Sequence, residues 1–247
     1  MADNDIIISI IIATYNAEKQ LPGCLRSITA QSFKGIEIVV IDGGSTDNTL
    51  SILKNYTGSF PLNWVSEPDK GIYDALNKGT RLAKGKWLHF LGADDRLLPG
   101  FSEMAAQVKE ENAVYYGISK EYYTGQRPNY NVLTGHFSKY RLAQECMNHQ
   151  AIVYPALVFR KYSYNLRYKV FADYDVNIRV WGDRQFKKCY YPIPVVSYNM
   201  NGFSSATRDE LFKQDKPGII KEGMGWIIYL RFLYKRYKKR KAGVLDF

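Results

Sequence analysis

The feature that most constrains the fold is an alternation of two hydrophobic patterns along the first hundred residues. Continuous apolar runs rich in β-branched residues, of which residues 6–13 are the longest, alternate with segments that carry an apolar residue every three or four positions. The first pattern is typical of strands buried on both faces, and the second is typical of amphipathic helices. Strands and helices that alternate in this way are joined by right-handed crossovers. We therefore expect an α/β fold with an open, doubly wound, mostly parallel sheet.

The same patterns locate the individual elements. In the first half we predict strands at residues 6–13, 36–41, 62–66 and 86–91, and helices at 17–31, 46–56 and 72–83. In the more elaborate second half we predict a helix at 101–111, a strand at 113–119, a loop at 122–135, a strand at 151–159, a helix at 174–183 and two strands within 187–200. Because no repeat or linker divides the chain, we expect one domain over residues 1–222, with halves at about 1–101 and 102–222.

A small polar or acidic cluster follows each predicted strand of the first half. The four clusters are Thr14-Tyr15-Asn16, Asp42-Gly43-Gly44-Ser45, residues 67–71, and Gly92-Ala93-Asp94-Asp95. Turns favour such residues in any protein, which accounts for one or two of the clusters. In an open α/β sheet, however, the carboxyl ends of the strands line the ligand cleft. Four clusters at that edge therefore predict a binding site.

The adjacent carboxylates of Asp94 and Asp95 are the most informative part of this edge. Two like charges side by side repel each other unless hydrogen-bond donors or a cation lie between them. A hard divalent cation such as Mg²⁺ or Mn²⁺, which also binds substrate phosphates, would relieve that repulsion. The chain contains neither a G-x-G-x-x-G nor a G-x-x-x-x-G-K-[ST] motif, so neither a dinucleotide-binding fold nor a P-loop is supported.

Two longer stretches resemble a known enzyme family. Residues 8–53, which begin ISIIIATYN and end IDGGSTDNTLSIL, resemble the opening of family 2 glycosyltransferases, which have the GT-A fold. Residues 66–95, which begin SEPDKGIYDALNKG and end GADD, resemble the continuation up to that family's DXD-type motif. A weaker resemblance runs to about residue 205 and is most similar to bacterial enzymes of capsule, O-antigen or colanic-acid-type polysaccharide synthesis. It implies inverting transfer of a sugar from a nucleotide-sugar, with a UDP-sugar as the first choice, usually with Mg²⁺ or Mn²⁺.

The resemblance also assigns residues to the nucleotide-sugar half, residues 1–101. The residues expected around the base, with Asp42 in contact with it, are Thr14, Tyr15, Asn16, Asp42 and Gly44. Those expected around the rest of the donor are Lys70, Gly71, Asp74 and, near the ribose, Asp94. Asp95 is expected to bind the metal ion. The motif departs from the family at Ala93, because a polar residue often precedes the two acids there.

The second half, residues 102–222, is expected to bind the acceptor and to supply the general base that takes the proton from the acceptor hydroxyl. In the family this base is commonly the Asp of a Glu-Asp pair at a helix start, and Ala172-Asp173 resembles that pair without its Glu. We expect Asp173 to be the base and Asp175 to be the weaker candidate, although a helix start favours acids in any case. His149, followed by Gln150 as in the related enzymes, is expected to contact the diphosphate or position the acceptor, unless it is a structural histidine.

The end of the chain carries much of its charge. The net charge is +10, and residues 231–247 contain seven basic residues and one acid. The residues that have the spacing of one helical face there are Trp226, Leu230, Leu233, Tyr234 and Tyr237. Residues 223–247 are therefore predicted to form a basic amphipathic tail that binds an anionic membrane surface, unless this helix packs on its own domain.

Several further features indicate where the protein works. The chain has no apolar run of about 18 residues, no basic start typical of a signal peptide, and three widely spaced cysteines. We expect a cytoplasmic protein, peripheral on the inner face of the cell membrane. The acceptor would then be a saccharide or a lipid-linked saccharide.

Two other classes of protein remain as alternatives. A sugar-nucleotide-forming nucleotidyltransferase can share a similar sheet, but it would need a Gly-rich basic loop directly after the first strand, and residues 14–18 are not such a loop. A nucleic-acid binder could use the basic tail. The acidic cleft would then be unexplained, because Asp42, Asp94 and Asp95 repel a phosphate backbone, so no nucleic-acid partner is expected.

Overall fold

The computed structural model describes residues 6–122, 131–201 and 207–243. The strands are β1 (Ile8–Thr14), β2 (Ile36–Asp42), β3 (Leu62–Ser66), β4 (Trp87–Phe90), β5 (Arg96–Leu97), β6 (Ala113–Tyr122), β7 (Asn131–Leu133), β8 (Ile152–Pro155) and β9 (Lys187–Asn199). The helices are α1 (Leu21–Thr29), α2 (Thr49–Lys54), α3 (Ile72–Leu82), α4 (Gly100–Ala105), α5 (Lys139–Gln144), α6 (Leu157–Lys161), α7 (Ala172–Gly182), α8 (Glu210–Met224) and α9 (Trp226–Lys241). A short 3₁₀ turn covers His149–Ala151.

The described strands form one sheet in the order β3-β2-β1-β4-β8-β6-β9-β5, and β7 pairs with β6. In its first half, β1 to β4 are parallel to one another. The second half is mixed, because β8 is antiparallel to both β4 and β6 whereas β9 is parallel to β6. The expected α/β fold is confirmed, and its parallel, doubly wound part is the half that carries the polar clusters.

The surroundings of β1 explain why its sequence is a continuous apolar run. Ile8, Ile10 and Ile12 pack on one face of the sheet with residues of α1 and α4. Ile11 packs on the other face with residues of α3 and α7. All four isoleucines are fully buried, so both faces of the strand are covered. Two covered faces require apolar residues at successive positions, which is the pattern of a parallel sheet with helices on each side.

Several predicted elements differ from the structure. The two strands predicted within 187–200 form the single strand β9, and the helix predicted at 101–111 ends at Ala105. The apolar run at 151–159 is a strand only over Ile152–Pro155, and α6 follows, because an apolar run does not distinguish a strand from a buried helix. The helix predicted at 46–56 is only Thr49–Lys54, since the Ser45 hydroxyl bonds to Asp42 instead of capping the helix. Within the loop predicted at 122–135, residues 131–133 form β7 and residues 123–130 lie outside the described part of the chain.

The two C-terminal helices meet at Gly225, whose φ of +88° allows the abrupt change of direction. Helix α9 packs on α8 and α5 through the buried Phe232 and the half-buried Ile228, Tyr229 and Leu233. The expected helix is therefore present, and one side of it lies on the domain. Over the described ranges, none of the helices combines the length and apolar character needed to cross a membrane.

Candidate active site

Asp42 lies at the carboxyl end of β2, where it organises the loops of the cleft. One carboxylate oxygen accepts hydrogen bonds from the hydroxyls of Thr14 and Ser45, and the other accepts from the hydroxyl of Ser66 and from the backbone N–H groups of Gly44 and Ser45. Burial alone would raise the pKa of Asp42, but these hydrogen bonds lower it below its usual range. The buried carboxylate is thus occupied by protein donors, and its contact with a base stays a prediction.

Tyr15 and Asn16 form the rim of the same cleft. Asn16 adopts a left-handed backbone conformation with φ of +49°, one that Asn tolerates better than most residues. Its side-chain oxygen accepts from the N–H of Thr46 at 2.9 Å, and its own N–H donates to the Ser45 hydroxyl at 2.8 Å. This arrangement leaves the Tyr15 side chain 66% exposed beside the cleft. An exposed aromatic ring held by a rigid neighbour is suited to stacking on a flat ligand.

The loop between β3 and α3 approaches Asp42 from the other side. Gly71 has φ of +108° and starts α3, and the N–H of Lys70 donates to the Asp74 carboxylate at 3.1 Å. A Cβ at Gly43 would lie 2.6 Å from a carboxylate oxygen of Asp69, so glycine lets the two loops approach without displacing that side chain. The residues predicted around the donor are therefore gathered at one edge of the sheet.

Asp94 and Asp95 follow β4 and are linked to the end of β9. The N–H of Asn199 donates to Oδ1 of Asp95 at 2.8 Å, and its side-chain amide donates to Oδ2 of Asp94 at 3.1 Å. The other oxygen of Asp95 accepts from the N–H of Gly92 at 3.2 Å. Burial, and then the charge of Asp94, raise the pKa of Asp95 to about 7. The pair is held rigidly, and its mutual repulsion is only partly compensated.

Asp94 and Asp95 are also the candidate ligands of a metal ion. In the part of the chain that the structure describes, no three His, Cys, Asp or Glu side chains are grouped closely enough to hold an ion by themselves. A divalent cation at a diphosphate needs only one or two protein carboxylates, because the phosphates supply other ligands. Asp95 and Asp94 therefore fit a cation that binds together with a diphosphate, because such a cation would stabilise a carboxylate whose pKa is raised first by burial and then by the charge of Asp94.

Asp173 lies in the first turn of α7 and forms the centre of a buried hydrogen-bonded group. Its Oδ2 is 2.8 Å from Nδ1 of His149, and its Oδ1 accepts from the Tyr73 hydroxyl at 2.9 Å. The same hydroxyl also lies within hydrogen-bond distance of the Val170 carbonyl. Burial and the negative charge of Asp173 raise the pKa of Tyr73 well above its usual value, so this hydroxyl stays protonated.

The two acids at the start of α7 have different surroundings. Oδ1 of Asp175 accepts from Nε of Arg179, four residues later, at 2.8 Å, so its carboxylate is engaged in this ion pair. Asp173 instead bonds to side chains from the 3₁₀ turn and from α3. Of the two candidates for the base, Asp173 is the one that joins the two halves of the chain.

Sequence reasoning missed two residues of this site, Tyr73 and Asn199. Tyr73 reaches Asp173 across 100 positions, and Asn199 reaches the acidic pair across 104 and 105 positions. No local pattern reveals such partners. The only signal was indirect: Tyr73 directly precedes Asp74 in a stretch that resembles the family, and Asn199 comes at the end of a predicted strand.

Comparisons with known proteins agree with this geometry. The model of the family described as Glycosyl transferase family 2 matches residues 9–205. A PGL/p-HBAD biosynthesis glycosyltransferase of Mycobacterium bovis (strain BCG / Pasteur 1173P2) is 37% identical over 231 residues, which are 90% of this chain and 88% of the relative. Both the family model and this relative are glycosyltransferases.

Solved structures share the fold. The crystal structure of S. aureus TarS 1-349 has a TM-score of 0.65 and 19% identity, over 88% of this chain and 70% of TarS 1-349. The same protein in complex with UDP-GlcNAc has a TM-score of 0.64 and 18% identity, over 88% of this chain and 71% of the other. At such identity the likeness shows the fold alone, which is of the GT-A type. With the family match over most of its length, this chain belongs to glycosyl transferase family 2.

Proposed function

We propose that this glycosyltransferase moves a sugar from a UDP-sugar to an acceptor hydroxyl, with inversion at the anomeric carbon, in the synthesis of a bacterial cell-surface glycan. The observation that carries the proposal is that one edge of the sheet holds both an acidic pair, Asp94 and Asp95, and a separate buried carboxylate, Asp173, bonded to His149. The two groups are close enough for the charge of His149 to affect the pKa of Asp95. TarS has been solved with UDP and with UDP-GlcNAc, which supports this class of donor.

The donor would lie along the loops that follow β1, β2, β3 and β4. Tyr15 would stack on the base, Asp42 would hold the turn at Gly44, and the Lys70-Gly71 turn would lie beside the sugar diphosphate. A divalent cation, Mg²⁺ or Mn²⁺, would be held by Asp95 with Asp94 next to it. It would neutralise the charge of the diphosphate leaving group. The rigid contacts from Asn199 and Gly92 keep the two carboxylates in place for that task.

Inversion by direct displacement requires a base on the acceptor side of the sugar. Asp173 supplies this function in the proposal, because its carboxylate is fixed by Tyr73 and His149 and comes from the half of the chain that would bind the acceptor. The acceptor would be a saccharide or a lipid-linked saccharide. The name of the mycobacterial relative, which refers to PGL and p-HBAD biosynthesis, supports an acceptor of the cell envelope.

Helix α9 supports a location at an anionic membrane surface. Its outward side carries five exposed large apolar residues, which are Trp226, Ile227, Leu230, Tyr234 and Tyr237. We call this set the aromatic face of α9. The helix also carries seven basic residues and no acidic one, and among the basic residues Arg231, Lys238 and Lys241 are exposed. Aromatic and basic side chains together are suited to the headgroup region of an anionic bilayer, so we propose peripheral binding on the cytoplasmic side.

A panel of nucleotide-sugars tests the proposed reaction. The full-length protein is incubated with each donor and Mn²⁺, and release of the nucleoside diphosphate is measured with and without saccharide acceptors. The proposal predicts release from at least one UDP-sugar, faster with an acceptor and reduced at least a hundredfold in Asp173→Asn. Asn63→Ala, on the exposed surface of β3, is the matched control that should retain full activity. Release from no donor, or only from donors with another base, would overturn it.

A further inference from the structure

Both oxygens of Asp173 are already engaged by the protein. Tyr73 donates to Oδ1 and His149 lies 2.8 Å from Oδ2, and Asp173 is only 7% exposed. An acceptor hydroxyl that approached the carboxylate directly would compete with these two donors for its lone pairs. Hydrogen bonds to a carboxylate also favour its charged form and so make it a weaker base. The carboxylate is therefore poorly placed to face the acceptor hydroxyl itself.

The contact with Asp173 determines where the proton of neutral His149 lies. An ionised carboxylate can only accept a hydrogen bond, so Nδ1 must carry the hydrogen, and Nε2 must carry the free lone pair. Nε2 has no hydrogen-bond partner among the described residues. His89 provides a contrast, because its Nε2 is also unpartnered but is sealed inside the core. The Nε2 atom of His149 is not sealed in that way.

From this geometry we propose that Nε2 of His149 is the atom that takes the proton of the acceptor hydroxyl, while Asp173 orients His149 and stabilises its charged form. This inference rests on the proposed function and deepens it, since it assigns the proton to one atom of the site. A carboxylate that holds Nδ1–H and thereby makes Nε2 basic is a general device of acid–base catalysis. Tyr73 acts as a positioning residue, because it fixes the other oxygen of Asp173.

The step balances with the groups that are present. The O–H bond of the acceptor breaks and its proton goes to Nε2, while the acceptor oxygen forms the new bond to the anomeric carbon. The bond between that carbon and the diphosphate oxygen breaks, and its electron pair leaves with the nucleoside diphosphate. The imidazolium then returns its proton to solvent. The products are a glycoside and a nucleoside diphosphate, and no other reactant is needed.

The charged and titratable groups around His149 favour this role. Asp173 faces Nδ1 from α7, and its negative charge stabilises an imidazolium. Asp95 lies within electrostatic range at the end of β4, but the proposed cation would offset its charge. On the side of the sheet, burial lowers the pKa of His89 to about 4, so this neighbour stays neutral and does not oppose the charge. Glu121 of β6 bonds to the side chain of Asn148, the residue before His149, and Glu145 acts with Asp173 on the nearby Cys146.

The test is the pH dependence of turnover in His149→Gln. Glutamine keeps an N–H that can donate to Asp173 but has no basic nitrogen. Turnover is measured at saturating UDP-sugar and Mn²⁺, so that titration of Asp95 does not enter. Wild-type turnover should decline towards acidic pH, because a second proton on the imidazole leaves Nε2 without the lone pair that accepts the acceptor's proton. His149→Gln should be slower by about 10²–10⁴-fold and should lack this decline. Its affinity for UDP and its thermal unfolding should match those of wild type.

A second variant separates chemistry from folding. His149→Ala leaves space for a small base, and added imidazole should restore part of its turnover, whereas the same imidazole should do nothing for Asp173→Ala. Wild-type turnover in His149→Gln, or an unchanged acidic decline in that variant, would overturn the assignment and leave Asp173 as the direct base. Failure of wild type to use any UDP-sugar would instead overturn the proposed function as well.

Discussion

The backbone N–H of Asn199 donates to Oδ1 of Asp95 at 2.8 Å, across 104 positions of the chain. The side-chain amide of the same residue donates to Oδ2 of Asp94 at 3.1 Å. The last strand of the sheet thus holds the acidic pair from the acceptor half. In consequence, the geometry of the proposed metal site depends on a residue that belongs to neither the acidic motif nor the nucleotide-sugar half.

Asn199→Ala should therefore weaken binding of UDP in the presence of Mn²⁺. The substitution keeps the backbone bond to Asp95 but removes the amide that fixes Asp94. Hydrogen bonds to charged groups contribute about 1.5–3 kcal/mol, so we expect affinity to fall by about tenfold or more. Calorimetric titration of UDP with Mn²⁺ measures this, with Asn63→Ala as the control. An unchanged affinity in Asn199→Ala would show that Asp94 needs no such support.

The pKa of Asp95 predicts how stability depends on pH. Because burial raises this pKa from 3.8 to about 7, the residue favours the folded state most below pH 3.8, and that contribution is lost as pH rises through 7. In EDTA, wild type should therefore lose more stability between pH 5 and pH 8 than Asp95→Asn does. Urea unfolding at the two pH values gives the comparison. Equal losses in both proteins would mean that Asp95 is not the titrating group.

Substitution of Asp173 by asparagine should reduce turnover much more than the same substitution of Asp175. Asp173→Asn keeps the size of the side chain but loses the carboxylate that serves the base, so turnover should fall about 10²–10⁴-fold with little change in donor affinity. Asp175→Asn alters the ion pair with Arg179 and should retain at least a tenth of wild-type turnover. Steady-state kinetics with one UDP-sugar decides between them. The opposite order of effects would assign the catalytic role of Asp173 to Asp175.

The aromatic face of α9 should be necessary for binding to anionic vesicles. Leu230 and Tyr237 are 58% and 62% exposed, so changing both to Glu should leave the fold intact while adding two negative charges to the face. Each basic residue near an anionic surface contributes about 1 kcal/mol, and we expect at least a tenfold loss of binding. Co-sedimentation with anionic and neutral vesicles measures the loss. Leu166→Glu, 44% exposed elsewhere on the protein, should bind like wild type; a similar loss there would contradict the assignment.

Point substitutions are preferable to deletion of this helix. Phe232 of α9 is buried in the main core, and Leu233 is half-buried against it, so removal of the helix would uncover apolar surface on α5 and α8. Leu233 was predicted on the same face as Leu230 and Tyr237, but it is half-buried against the core, so it lies at the border between that face and the side that packs on the domain. The spacing alone does not show where this border lies.

Features that depend only on a short stretch of sequence were predictable from the sequence. Buried strands such as β1 and β2 are continuous apolar runs, and the polar residues after them could be assigned to the cleft, because the carboxyl ends of parallel strands share one edge. The contacts within the site were not predictable. His149 and Asp173 were both identified, but their bond joins positions 24 apart through the fold. Neither its existence nor the resulting position of the proton on His149 follows from sequence pattern.

We propose that the cleft with Asp94 and Asp95 binds a nucleoside diphosphate together with a divalent cation. Calorimetric titration of UDP into the full-length protein, once in Mn²⁺ and once in EDTA, measures this coupling. We expect clear binding in Mn²⁺, at least tenfold weaker binding in EDTA, and weak binding in both buffers for Asp95→Ala. Equal affinity for UDP in Mn²⁺ and in EDTA would contradict it.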